Sequence, residues 1–97
     1  MQLYAIRRRN AWATAEDLEA TAKRSAQEGD RDGSGVRWIR SYVVQESTGE
    51  LGTVCIYEAD SFEAIHAHAA RAGMPADEIT PVADTVVVRP DPVPAHA

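Results

Sequence analysis

The order of elements in this 97-residue chain predicts an α+β, ferredoxin-like βαββαβ fold. That is a four-stranded antiparallel sheet with two helices on one face, and its uncovered face predicts a dimeric α+β assembly. Three observations predict the fold. Short strand-like stretches recur at residues 3–7, 36–45, 53–58 and 82–89. Two capped helical stretches separate the first from the second and the third from the fourth. The turn-rich ESTGELG at 46–52 joins the middle pair directly, as a hairpin does.

Each element has its own warrant. Residues 3–7 alternate and carry Leu, Tyr and Ile, which suits a strand; Arg7, Arg8 and Arg9 follow as its solvent-meeting end. Thr14 opens a capping-box-like start with an acid three residues on, so the first helix runs to about Glu28 and stops at Gly29. Leu18, Ala22, Ser25 and Ala26 give it a thin stripe of small residues that lets it approach a sheet closely. Residues 30–35, DRDGSG, form a solvated loop. In the strand at 36–45, strict alternation puts Trp38, Tyr42 and Val44 on one face and Ile39, Ser41 and Val43 on the other. Asp60 or Ser61 caps the second helix, Gly73 stops it, and Pro75 prevents its resumption. Residues 1–89 thus form one domain, and the proline-rich 90–97, PDPVPAHA, form a disordered tail.

Composition narrows the function. A net charge of −5 and a pI near 5.0 argue against nucleic acid as the main partner. No apolar run approaches the roughly 18 residues of a membrane span, and the N-terminal ten residues lack the order of a secretory signal. A lone cysteine, Cys55, makes no internal disulfide and fits a reducing cytoplasm; mid-strand, it reads as a small buried hydrophobe. Nucleophile elbow, phosphate loop and dinucleotide fingerprint are all missing.

The chemistry-bearing residues gather around the second helix. Phe62, Ile65, Ala69 and Ala72 line one side of it, and His68 falls in or beside that stripe. His66 lies about 200° away at roughly 3.6 residues per turn, so the two imidazoles do not chelate together. His66 shares its side with Glu63, as a surface pair does. His68 reads either as a half-buried structural residue or as a ligand, with Glu58 at the mouth of the helix and Tyr42 and Tyr57 on the strands beneath. Histidine with a carboxylate suits a first-row divalent ion such as nickel, zinc or cobalt. One of each leaves a shell that water or a second subunit must complete. Trp12 staples the start of the first helix or lines a pocket rim.

The run Trp38-Ile39-Arg40-Ser41-Tyr42-Val43, then Cys55-Ile56-Tyr57-Glu58-Ala59, His68-Ala69 and Gly73-Met74-Pro75-Ala76-Asp77, resembles a family of short bacterial domains of unknown function that includes a nickel-binding protein. The resemblance implies a ferredoxin-like fold, a homodimer and bound nickel as the cofactor. The resulting expectation is a small dimeric metal-binding protein that sequesters or senses its ion. His68 and Glu58 are the metal ligands, Tyr42, Tyr57 and Trp12 line a ligand pocket, and Trp38 and Val44 lie on the dimer surface. Two alternatives stand beside it. One is a cofactor-free enzyme for a small molecule, with His68 as base and Tyr42 as hydrogen-bond donor, which needs a cavity of roughly 300 Å3 or more. The other is a ligand-free structural or regulatory dimer.

Overall fold

The computed structural model describes residues 1–92; part of the proline-rich tail, 93–97, lies outside the described residues. The element order is β1 (Gln2–Trp12), α1 (Ala15–Gly29), β2 (Val36–Gln45), β3 (Leu51–Ala59), α2 (Phe62–Ala72) and β4 (Glu78–Pro81). The strands form one antiparallel sheet in the order β2-β3-β1-β4, with both helices on one face. This is the ferredoxin-like fold.

Local chemistry sets the helix ends. The Thr14 side chain accepts from the Asp17 amide, and Ser61, rather than Asp60, accepts from the Ala64 amide. Gly73 ends α2 in the left-handed region at φ 70°, where a Cβ would be strained.

The central strands β1 and β3 supply the core. Tyr4 and Ile6 from β1, Cys55, Tyr57 and Ala59 from β3, Val36 from β2 and Ile65 from α2 form one buried cluster. Cys55 is thus a buried small residue, as its position suggests.

Two sequence expectations change. First, β2 carries a bulge: Trp38 pairs with Tyr57, but Arg40 pairs with Ile56, so Ile39 is the extra residue. A one-residue slip reverses every later side chain. Trp38 therefore joins Tyr57 on the helix-covered face, its ring stacked 6.0 Å from the tyrosine ring. Tyr42 and Val44, paired with Val54 and Gly52, face the open side. Trp38 and Val44 do not share a surface. Second, the fourth strand is Glu78–Pro81, not 82–89. Val86, Val87 and Val88 remain unpaired and are 87%, 74% and 79% exposed.

The open face is not bare throughout. The segment after β4 arches over part of it, and Asp91 accepts hydrogen bonds from Tyr42 Oη at 2.8 Å and Arg40 Nη1 at 3.2 Å. Beneath the arch lies a gap of about 1040 Å3 bordered by Leu3, Tyr42, Ile56 and Val82.

Candidate functional site

The polar groups of the interior lie where α1 and α2 meet the sheet. Ser25 is the one buried residue of α1. Its hydroxyl exchanges a 2.9 Å hydrogen bond with the Tyr57 hydroxyl and a 3.1 Å hydrogen bond with His68 Nε2. The three side chains thus form a chain from β3 through α1 to α2. His68 is 1% exposed, as its place in the α2 stripe implies. The Tyr57 and His68 rings lie tilted, 5.5 Å apart. Gly29 lies beside the imidazole: a Cβ there would sit in ordinary contact, 3.5 Å from His68 Cε1.

The electrostatics favour neutral forms. Burial pushes the His68 imidazole below its ordinary 6.5, and the cations Arg71 and Arg8 add to that. Burial pushes the Tyr57 phenol up, against an opposing effect of its bond to Ser25. A neutral imidazole has one proton, so the relay has two polarities. If Ser25 donates to Nε2, Nδ1 carries the proton. If Nε2 donates to Ser25, Nδ1 is a free lone pair. In both cases Nδ1 is buried and has no hydrogen-bond partner among the described residues.

The acid on the same side is Glu28, not Glu58. Glu28 lies one turn beyond Ser25 on α1, and its charge acts on His68. Its Oε2 stands 3.5 Å from Arg71 Nε and 3.4 Å from Arg31 Nη1, without hydrogen-bond geometry to either. Glu58 pairs with Arg37 at 2.9 Å on the open face, because alternation along β3 sends Tyr57 to the helices and Glu58 away from them. His68 and Glu58 therefore lie on opposite faces of the sheet, and one ion does not reach both within the chain. Tyr42 likewise faces the open side, 45% exposed and bound to Asp91. The pairing of His68 as base with Tyr42 as donor falls for the same reason.

Trp12 and Tyr57 do line a shared space. A cavity of about 450 Å3 opens between α1 and the β2 edge, walled by Trp12, Leu18, Ala22, Trp38 and Val43. Trp12 Nε1 donates to Thr21 Oγ1 at 3.0 Å, so the indole both anchors α1 and forms a cavity wall. Arg8, read from the sequence as part of a solvent-meeting strand end, is instead buried, and it is the functional residue that sequence reasoning missed. It is 1% exposed, its Nε donates to Pro75 O at 2.6 Å, and Nη1 and Nη2 have no hydrogen-bond partner among the described residues. The signal was available: Tyr4, Ile6 and Arg8 continue one alternation, so a longer first strand points Arg8 inward with the other two.

Among the described residues no helix is long and apolar enough to cross a membrane. No curated protein matches the chain. A solved structure does: the crystal structure of SCO4226 from Streptomyces coelicolor A3(2), with 26% identity and a TM-score of 0.69, aligned over 87% of this chain and 99% of that one. Residues 4–82 match the family described as "Nickel responsive protein SCO4226-like", and with a match of that extent the chain belongs to this family.

Proposed function

We propose that this chain is a small homodimeric protein that binds nickel, to sequester or sense it. The family match supports the link to nickel. The observation that carries the site is that His68 Nδ1 and Glu28 Oε2, whose charges interact, are both buried and both without hydrogen-bond partners among the described residues. An imidazole and a carboxylate suit a first-row divalent ion. A bound ion would supply coordination to both atoms, and would compete with Arg31 and Arg71 for the Glu28 carboxylate. Ser25 would act behind the ligand, accepting from Nε2 and so keeping the Nδ1 lone pair free.

The shell is partial. Among the described residues no group of three or more His, Cys, Asp or Glu is placed to hold a metal. Water completes it, or a second copy that reaches the helix side of the sheet. The open sheet face, across the sheet from His68, supports a homodimer in its own right: Tyr42 and Val54 project from it, with Ile56 beside them, and association is the usual remedy for such a surface.

Titration calorimetry of tag-free protein with Ni(II) tests this reading. The wild type is expected to give saturable heat, and His68→Ala and Glu28→Gln to weaken binding about tenfold or more, as loss of a ligand does. Equal heats from wild type and His68→Ala would remove His68 as a ligand. A wild type that gives no heat would remove nickel itself.

A further inference from the structure

We infer that the cavity between α1 and β2 is a binding site for a small carboxylic acid with an apolar body, its carboxylate held by the Arg8 guanidinium. The inference does not need nickel: it rests on Arg8, which is no ligand in that reading, although Ser25 and Tyr57 line this cavity as well as adjoining His68.

The charge comes first. A guanidinium carries a permanent positive charge and five N–H donors. Arg8 is almost completely removed from solvent, and only Nε has a partner, a neutral carbonyl. No carboxylate among the described residues pairs with it. Arg7 reaches Glu46 and Arg9 reaches Glu78, so the neighbouring arginines are matched while the buried one is not. An unpaired interior charge costs several kcal/mol unless something of opposite sign meets it. The Tyr57 ring, 6.0 Å from the guanidinium carbon, offers only a weak cation–π contact. An anion with two oxygens would accept from Nη1 and Nη2 side by side.

The cavity supplies the remainder of the specificity. Its volume of about 450 Å3 falls within the range of small-molecule sites, and Arg8 lines it. Trp12, Leu18, Ala22 and Trp38 make its walls predominantly apolar. Glu19 stands at the exposed rim, where its charge repels a second acidic group and favours a ligand with one carboxylate at its buried end. Neither Nη carries measurable accessible surface, so entry of the carboxylate requires a wall side chain to shift.

Both tryptophans of the chain line the cavity, so their fluorescence reports on it directly. Octanoate and its neutral analogue octanamide are titrated into the full chain, with the melting temperature as a second readout. Octanoate is expected to change the fluorescence saturably at millimolar concentration or below and to raise the melting temperature; octanamide should bind about tenfold more weakly or worse, as loss of a charged hydrogen bond implies. Arg8→Met is expected to fold, since an apolar isostere relieves the buried charge, and to lose the preference for the acid. Ala22→Leu retains Arg8 but fills the space, and should weaken octanoate binding even if Arg8→Met does not fold. Equal binding of acid and amide, undiminished octanoate binding by Ala22→Leu or by folded Arg8→Met, or no response to octanoate would each overturn the proposal. Failure of nickel binding leaves all of these outcomes unchanged.

Discussion

His68 gives up nearly all its contact with water, and in return makes one hydrogen bond, to Ser25. Protonating it inside the fold, with Arg71 and Arg8 acting on it, is unfavourable, so its folded pKa lies below the 6.5 of the unfolded chain. Below 6.5 the unfolded state therefore binds more protons than the folded state, and stability falls as pH falls. The contribution is complete above 6.5 and is lost as pH drops from there toward the depressed value. In metal-free protein scanned between about pH 8 and pH 5, wild type should lose melting temperature more steeply than His68→Gln, which has no titrating group there. Parallel curves for the two proteins would contradict that account. At this scale the sequence was partly legible. The α2 periodicity placed His68 inward, but it did not disclose Ser25, Glu28 or Arg8. Ser25 read as one more small residue in a stripe, although its hydroxyl joins two side chains 32 and 43 positions away. Contacts of that separation leave no trace in local spacing.

Elements were legible where the signal is local. Thr14, Ser61 and Gly73 mark helix ends because each acts within a turn of its own position. The bulge at Ile39 was not legible: a strand with apolar residues on both faces shows no break in pattern when one residue is inserted. That slip moved Tyr42 away from Tyr57 and took the expected pocket apart. The fourth strand failed for a related reason. Residues 85–88, TVVV, have strong strand propensity, but β1 pairs with the shorter segment 78–81, which reaches its edge directly after α2. Position along the chain outweighed propensity. The close approach of β1 and β3 beside the β1 irregularity is also tertiary. A Cβ on Gly52 would lie 2.5 Å from Arg8 O and would collide with Glu46 Oε2. Glu46 in turn binds Arg7 and the Asn10 amide. Gly52→Ala is therefore expected to destabilise the protein by about 1–3 kcal/mol, the usual range for overpacking, in urea unfolding. An unchanged unfolding midpoint would show that the β1–β3 contact yields at no cost.

For the molecule as a whole, the question is what meets the open face. The chain measures 34 × 33 × 24 Å, so a sheet face is broad enough for the roughly 800 Å2 per partner of a standard interface. The face mixes Val54, Ile56 and Tyr42 with the pair Arg37–Glu58, an apolar centre beside charges that are already matched. The arch from Val82 to Asp91 touches it at Tyr42 and Arg40 but leaves a gap of about 1040 Å3 and three exposed valines alongside. A second copy, related by a two-fold axis, would cover the sheet and bury those valines together. Sedimentation equilibrium is expected to return twice the 10.6 kDa of one chain. Ile56 points away from the helices, so Ile56→Glu leaves the core intact and places a charge at the centre of the face. That variant should sediment as a folded monomer with an unchanged far-ultraviolet spectrum. A wild-type mass of one chain would leave the open face without its expected partner. A dimer that survives Ile56→Glu would put the interface elsewhere, the one arrangement in which a second copy reaches the helix-side shell at His68 and Glu28.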